Sequence, residues 1–252
     1  MVGFSPTILQ TGMKGEFKRM LIDPHVHTSG MSRCSKRTPA QMIAQFLADG
    51  TEGFVLANHC DISYTQELGY RAWCKKYNEE FYLTKALGDM YGIKVFFGIE
   101  VETTEAKKVH YVIYGMTPED LMESPELYLL SQKELFEYCE RNGFALFQAH
   151  PYRGSTVPMD PAYLHGVEIS CHPVHRATKS EEVRKFAKEH NLLISCSSDF
   201  HGDSYKPKCG MIVIDDIKDG RQFKEYICKQ QVPLKVVEVI HIDIRNLSSG
   251  RS

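Results

Sequence analysis

The sequence predicts an α/β fold built as a closed barrel of about seven strand–helix units, and three observations favour this class. Short apolar runs alternate with amphipathic helical patterns along most of the 252 residues. About seven such units in roughly 250 residues match the usual size of a β/α barrel. No Gly-rich phosphate loop follows any predicted strand, which weakens the alternative of an open, doubly wound, nucleotide-binding sheet.

The first strand and the first helix carry clear local signals. Residues 19–27 (RMLIDPHVH) begin as an apolar run that predicts a buried strand. In the segment TPAQMIAQFLADG, Thr38 is a suitable helix cap and Pro39 suits the first turn. The apolar residues of this segment share one helical face, and Gly50 suits the helix end.

The rest of the chain continues the same alternation. A long helical region covers about residues 64–91, with Gly69 and Gly88 as candidate breaks. Because segments of helical length separate most strands, we predict a parallel sheet with crossover helices. Further strands are predicted at 53–59, 93–101, 108–115, 144–150, 166–171, 192–201, 211–215 and 233–244, and helices at 131–142, 179–190 and 218–229.

The domain organisation is predicted to be a single unit over residues 1–252, because no internal repeat, low-complexity segment or linker is visible. Its core motifs lie within 19–216. Residues 1–18 form an N-terminal extension, and 217–252 supply a C-terminal helix and strand.

Composition excludes several classes of partner. The formal net charge of -2 argues against a large basic nucleic-acid footprint. The eight cysteines form no C-x-x-C pair, so we expect free thiols in a reducing cytosol rather than a disulfide framework. The first twenty residues contain no long apolar run, and we expect a cytoplasmic chain with no signal peptide and no membrane contact. The sequence leaves the oligomeric state open.

Histidines and acids collect at the predicted strand ends. In a β/α barrel the carboxyl ends of the strands converge on one face, where catalytic groups lie. A single histidine after a strand is usually capped or solvated, but six on one rim indicate a metal site. Imidazoles and carboxylates without a Cys pair favour Zn, Mn or Fe, and so many donors suit two or three divalent ions. The predicted metal ligands are His25, His27, His59, Glu100, His110, His150, Asp199 and His201.

Six motifs occur in order over residues 23–202: DPHVHTSGMSRCS, LANHCD, GIEVE, KVHYVIYG, QAHPYR and SSDFHG. This ordered set resembles the successive motifs of the polymerase-and-histidinol-phosphatase (PHP) family. The resemblance implies a distorted, TIM-like (β/α)7 barrel. It also implies an enzyme: a metal-dependent phosphoesterase or phosphatase with a trinuclear site.

The resemblance also implies a role for each ligand. A first ion would be held by the predicted catalytic set, which is His25, His27, Glu100 and Asp199. Glu100 would bridge to a second ion held by His110 and His150. A third ion would be held by His59 and His201.

One position departs from the family pattern. Where the family usually supplies another His or Asp, this chain offers Arg33 and Cys34. Cys34 or Asp61 would serve as the extra ligand, unless the third ion is weakly held. Arg33 cannot bind a metal and is instead a candidate for phosphate binding.

Basic and acidic residues outside the ligand set complete the predicted site. Arg153 is the first choice for a phosphate clamp because a guanidinium matches phosphate as a fork, and Arg176 and Arg33 follow. Glu102 is predicted to orient a histidine rather than bind metal. His172 and His175 would contact substrate or donate a proton, unless they are simply exposed. The expected substrate is a phosphorylated small molecule, a metabolite or nucleotide, with nucleic acid not excluded.

Two other functions remain open from the sequence. An amidohydrolase-type enzyme, which cleaves C–N bonds, also begins with His-x-His and ends with an Asp. It does not require His59 or His201, so these two histidines discriminate between the classes. The second alternative is a metal-binding accessory protein without turnover.

Overall fold

The structure, a computed structural model, describes residues 19–172, 179–202, 209–213, 217–229 and 236–237. The predictions for Arg176, His175 and residues 1–18 lie outside this part of the chain, as does most of the predicted strand at 233–244. The described strands are β1 (Met20–Val26), β2 (Gly53–Leu56), β3 (His59–Cys60), β4 (Lys94–Glu102), β5 (His110–Tyr114), β6 (Ala145–Gln148), β7 (Gly166–Ser170), β8 (Leu193–Ser197), β9 (Gly210–Val213) and β10 (Val236–Val237). The described helices are α1 (Pro39–Asp49), α2 (Ile62–Thr65), α3 (Tyr70–Tyr91), α4 (Pro118–Glu123), α5 (Gln132–Asn142), α6 (Ser180–His190) and α7 (Gly220–Cys228).

The strands form a nearly closed barrel, which confirms the predicted distorted β/α barrel. Their order across the sheet is β10-β9-β1-β2-β4-β5-β6-β7-β8, with β3 paired to β4. Closure occurs just beyond β8, where Val26 and Phe200 form a parallel bridge. There the backbone N–H of His27 donates to the carbonyl of Phe200 at 3.1 Å. The end of β8 therefore lies directly beside the end of β1.

The predicted all-parallel sheet is wrong in two places. Strand β5 runs antiparallel to both β4 and β6, and β9 runs antiparallel to β1 and β10. Only residues 103–109 separate β4 from β5, whereas a parallel crossover needs about a dozen residues. The reversal brings the first residue of β5, His110, opposite Glu102 at the carboxyl end of β4.

Helix boundaries follow the local signals in most cases. Thr38 and Gln41 form a capping box at the start of α1, and Gly50 ends the helix with φ 73°. Gly69 separates α2 from α3 as predicted. Gly88 does not break α3; a Cβ there would lie 2.6 Å from the carbonyl oxygen of Ile93. This glycine lets α3 pack closely against the chain that enters β4.

The barrel interior is apolar below the site. Side chains alternate along a strand, so Phe96 and Glu100 share the inner face of β4. Phe96 belongs to a core cluster with Tyr114 and with Phe223 of α7. The ring of Phe223 stacks on Phe96 at 5.7 Å and meets Tyr114 edge-on at 5.8 Å. Helix α7 therefore packs against the interior cluster. No described helix is long and apolar enough to cross a membrane.

Candidate metal centre

Four buried side chains from distant parts of the chain meet at the barrel mouth. His25 and His27 come from the end of β1, Glu100 from β4 and Asp199 from the turn after β8. One donor atom from each lies within 4.8 Å of the others. The Nε2 atoms of His25 and His27 are 2.9 Å apart, and His27 Nε2 lies 3.1 Å from Asp199 Oδ1. This is the first-ion set that the resemblance implied.

Hydrogen bonds on the far side of His25 and His27 orient their rings. Glu168 Oε1 lies 3.0 Å from His25 Nδ1, so the carboxylate accepts from an N–H at Nδ1. Ser32 Oγ lies 3.2 Å from His27 Nδ1. The Ser32 hydroxyl donates to Asn58 Oδ1, so it accepts the Nδ1 proton of His27. Both Nε2 atoms therefore present lone pairs to the same small volume.

In two further histidines, a hydrogen bond likewise holds one ring nitrogen and leaves the other ring nitrogen available. His110 Nε2 bonds to Glu102 Oε2 at 3.0 Å, which leaves Nδ1 facing Glu100 Oε1 at 2.8 Å. His201 Nδ1 donates to the backbone carbonyl of Asp199 at 2.7 Å, which leaves its Nε2 free of that bond. Glu102 therefore orients a histidine, as the sequence analysis predicted.

Glu100 lies at the centre of the cluster and, besides His110, approaches two more imidazoles. Its Oε1 is 3.1 Å from His150 Nε2, and its Oε2 is 2.6 Å from His59 Nδ1. Yet Oε2, which is buried, forms no hydrogen bond with the described residues. Close approach without hydrogen-bond geometry fits a carboxylate and an imidazole that share a cation. Glu100, His59 and His110 form a second compact donor group.

The remaining donors form two overlapping groups. His27, His59 and His201 offer three nitrogens within 4.8 Å of one another. The rings of His27 and His201 stack at 4.1 Å. His172, Asp199 and His201 form the other group. Because the structure gathers four donor groups with converging lone pairs and two shared carboxylates, the residues present fit a site for divalent cations.

Backbone geometry at the site is unusual. His150 and Asp199 have positive φ values, 31° and 49°, although neither is glycine. Such conformations cost free energy and persist where surrounding contacts hold them. Asp23 supplies one such contact, because its Oδ1 accepts from the N–H of Ser198 at 3.0 Å and ties β1 to the turn that carries Asp199.

The cluster shifts the pKa values of its members in opposite directions. Burial raises the pKa of the Glu100 and Asp199 carboxyls, but neighbouring imidazoles outweigh it and hold both well below their usual range. Burial lowers the pKa of His59, but Glu100 and Cys34 together outweigh it and raise the value to about 10. For His27, burial and the neighbouring His201 and His59 together lower the pKa. The metal-free site is thus a network of paired charges.

Among the predicted substrate-binding and extra-ligand residues, Arg153 contacts a donor group, whereas Arg33 and Asp61 have other partners. The guanidinium of Arg153 bonds to Asp199 Oδ2, and its side chain is 24% exposed. Arg33 pairs with Glu67 at 2.7 Å on the surface. Asp61 caps α2, accepting from the N–H of Tyr64 at 2.9 Å, and no compact donor group among the described residues includes it.

A cleft of about 340 Å³ opens beside the donor groups. Arg153 and His110 connect this cleft to the donor groups, and Lys108 adds a second cation. Its lining residues include Glu102, Lys108, His110, Arg153, Ser155 and Thr156.

The sequence analysis missed Glu168 and gave His172 a different role. Glu168 lies within the apolar strand GVEIS, and an isolated acid in such a strand was the available signal. It accepts from the Ser197 hydroxyl at 2.7 Å and the His150 N–H at 3.1 Å, besides contacting His25. His172 was placed only as a substrate contact, a proton donor or an exposed loop residue. It is 9% exposed and lies within a donor group.

The chain matches no protein-family model and none of the curated proteins. Among solved structures, it resembles a two-domain Bacteroides vulgatus protein containing a predicted PHP-like metal-dependent phosphoesterase, with a TM-score of 0.64 at 15% identity. That match covers 88% of this chain, which spans only 66% of the other chain's length.

Two other solved structures give similar results. PsfC from Pseudomonas syringae has a TM-score of 0.61 at 14% identity, over 88% of this chain and 92% of that one. A candidate metal-dependent phosphoesterase from Bifidobacterium adolescentis has a TM-score of 0.52 at 16% identity, over 83% and 96%. At these identities the likeness shows the fold, a barrel of the PHP-like type.

Proposed function

We propose that this chain is a PHP-family enzyme that hydrolyses phosphoesters with two or three divalent ions, Zn, Mn or Fe. One observation carries the proposal. Glu100 belongs to two compact donor groups at once, one with His25, His27 and Asp199 and the other with His59 and His110. A carboxylate shared in this way suits neighbouring ions, the arrangement that phosphoryl transfer uses.

When bound, such ions activate water as a nucleophile and neutralise charge on the phosphoryl oxygens. The chain's own residues supply positioning. Glu168, Ser32 and Glu102 hold imidazole rings so that a lone pair of each faces the site. Phosphoryl transfer relies on such preorganisation because little covalent chemistry is left to the protein.

Arg153 is proposed to bind the phosphoryl group. Its guanidinium lies beside Asp199 and lines the cleft next to His110. In the metal-free site it offsets the charge of the Asp199 carboxylate. A cation on Asp199 would take over that role, and Arg153 would then be free to form a forked pair with phosphate oxygens.

The substrate is proposed to be a small phosphorylated metabolite or nucleotide. The cleft volume of about 340 Å³ falls within the range of small-molecule sites. The net charge of -2 offers no general attraction for nucleic acid. The eight unpaired cysteines agree with a reducing compartment, and a cytoplasmic location is part of the proposal.

The proposal is tested by a phosphate-release screen over phosphorylated metabolites, with the full chain loaded with Mn, Zn or Fe. We expect at least one phosphoester to be cleaved, and His25→Ala to abolish that cleavage. His190→Ala is the matched control because His190 is exposed on α6. Full activity in His25→Ala would remove the proposed site from the reaction.

The same screen separates the two alternatives. A panel of amides and cyclic amides is added to test the amidohydrolase-type alternative. Cleavage of these compounds without phosphate release would favour that class. Tight metal binding with no cleavage of either panel would favour a metal-binding accessory protein.

A further inference from the structure

A second cleft, of about 260 Å³, opens between the segment that follows β1 and helices α2 and α3. It shares no lining residue with the cleft that contains Arg153, and no member of the four donor groups among the described residues lines it. The reaction proposed above therefore leaves this cleft without a role. Its lining residues include Met31, Arg33, Tyr64, Leu68, Trp73 and Lys76.

The walls of this cleft are largely apolar and aromatic. Trp73 is 1% exposed, and its ring stacks on the core residue Tyr70 with the ring centres 5.8 Å apart. Met31 is also buried, and Tyr64 supplies a second ring. Aromatic walls favour flat apolar ligands because rings pack against one another in offset-stacked or edge-on contacts. The cleft therefore suits a planar ring.

Two polar groups of the lining residues lack partners. The indole Nε1 of Trp73 is buried and has no hydrogen-bond partner among the described residues. A buried donor without an acceptor is unfavourable, so it calls for an acceptor that the chain itself does not supply. The ammonium of Lys76 forms no ion pair within the described part of the chain, whereas Arg33 pairs with Glu67 at 2.7 Å. An anionic acceptor would satisfy both groups.

The cleft begins one side chain away from the donor groups. The centre of the Tyr64 ring lies 5.5 Å from that of His59, which belongs to two donor groups. The opposite wall is the segment that begins just after His27. A Cβ at Gly30 would collide with the carboxylate of Glu80, so this glycine lets the segment approach α3 closely. A phosphoester held at the donor groups therefore has a cleft beside it for its organic part.

We propose that this cleft binds the leaving group of the substrate, and that the leaving group is an aromatic ring carrying an anionic group. The ring packs against Trp73 and Tyr64, and the anionic group pairs with Lys76. Hydrolysis breaks the ester P–O bond, forms a new P–O bond to the oxygen of water and passes one water proton to the departing oxygen. The leaving-group role rests on the proposed phosphoesterase function, whereas binding in the cleft does not.

Tryptophan fluorescence tests binding without turnover. Trp73 is the single tryptophan of the chain, so its emission reports on this cleft. The full chain, treated with a chelator, is titrated with benzoate. We expect a saturable change in emission, an affinity about 3- to 10-fold weaker in Lys76→Met and a wild-type affinity in Lys76→Arg. Lys75→Met is the matched control, because Lys75 is exposed on the same helix but does not line the cleft.

Competition with benzoate separates the ring from the charge. Acetate lacks the ring and should bind about 10-fold or more weakly than benzoate. Benzyl alcohol lacks the charge and should bind about 3- to 10-fold more weakly. No saturable response to benzoate in the wild type, or an equal benzoate affinity in Lys76→Met, would overturn the assignment of the cleft. Acetate binding as tight as benzoate binding would refute the aromatic part of it.

Turnover tests the leaving-group role. Phenyl phosphate and 3-carboxyphenyl phosphate are compared as substrates of the Mn²⁺-loaded chain. We expect kcat/KM to favour the carboxylated ester about 3- to 10-fold in the wild type and in Lys75→Met, and this preference to disappear in Lys76→Met. Cleavage of both esters by the wild type without a preference would refute the leaving-group role.

The two proposals fail in different ways. Benzoate binding that depends on Lys76, in a protein that cleaves no phosphoester, would support the cleft as a binding site and refute the enzyme. Phosphoester cleavage that depends on His25, in a protein whose Trp73 emission does not respond to benzoate, would refute the cleft alone.

Discussion

Replacing Glu168 with Gln tests whether this buried carboxylate prepares His25 to bind a cation. Glu168 Oε1 accepts the Nδ1 proton of His25 at 3.0 Å, which leaves the Nε2 lone pair for the metal. A Gln side chain that donates to Nδ1 would invert the tautomer and place a proton on Nε2. The exchange changes shape very little, so its effect isolates the charge and the hydrogen-bond direction.

The expected loss of metal affinity is about 10- to 100-fold, the usual effect of removing a partner behind a ligating histidine. That range corresponds to about 1.4–2.7 kcal/mol of binding free energy. The loss should lie toward the upper end because Glu168 also accepts from Ser197 and from the N–H of His150. A single amide oxygen cannot accept all three bonds.

The assay is isothermal titration of Zn²⁺ or Mn²⁺ into chelator-treated protein. Glu140→Gln is the matched control, because Glu140 pairs with His165 at 2.7 Å on the surface, outside all donor groups among the described residues. Urea unfolding of both variants shows that they are folded. Wild-type affinity in a folded Glu168→Gln protein would refute the reasoning on tautomers.

Three further predictions concern pH, substrate and the core. Burial lowers the pKa of both His59 and His110, but without metal Glu100, together with Cys34 beside His59 and Glu102 beside His110, outweighs burial and raises the pKa values to about 10 and about 9. The resulting stabilisation is complete below the unfolded pKa of about 6.5 and is lost as pH rises through 9–10. The melting temperature of chelated protein should therefore fall from pH 7 to 10, whereas metal affinity rises; a flat melting profile would contradict this. Arg153→Met should raise the KM of the best phosphoester about 10- to 100-fold, the value of a charge-assisted hydrogen bond, and an unchanged KM would exclude Arg153 from substrate binding. Phe46→Ala, at a fully buried core position, should lower the free energy of unfolding by about 3–5 kcal/mol in urea, and Leu47→Ala, 45% exposed, should cost far less.

Sequence reasoning predicted the barrel and most of its elements because their signals are local. The cap at Thr38 and the stop at Gly50 act through neighbours in the chain, and the structure has both. The donors at strand ends could be identified because a barrel brings carboxyl ends together. His110 was selected although it opens its strand, and the antiparallel course of β5 explains why it reaches the same rim.

The contacts that the sequence did not predict depend on strand pairing. That Glu168 orients His25 and that Ser32 orients His27 follows from which strands lie side by side and in which register. No local pattern encodes that register. The prediction that the sheet is all parallel failed for a related reason. The loop between β4 and β5 has seven residues, which is too short for a parallel crossover, but this is known only once both strand ends are known.

The sequence by itself determined the chemistry that is available: imidazoles and carboxylates at the ends of apolar strands. The tertiary structure alone decided which lone pairs converge, which protons are held away from the site and which acids serve other tasks. Asp23 and Ser198, for example, lie 175 residues apart and hydrogen-bond to fix the turn that carries Asp199. The physical reason is that residue type sets what an atom can bind, whereas chain folding sets the distances over which hydrogen bonds and charges act.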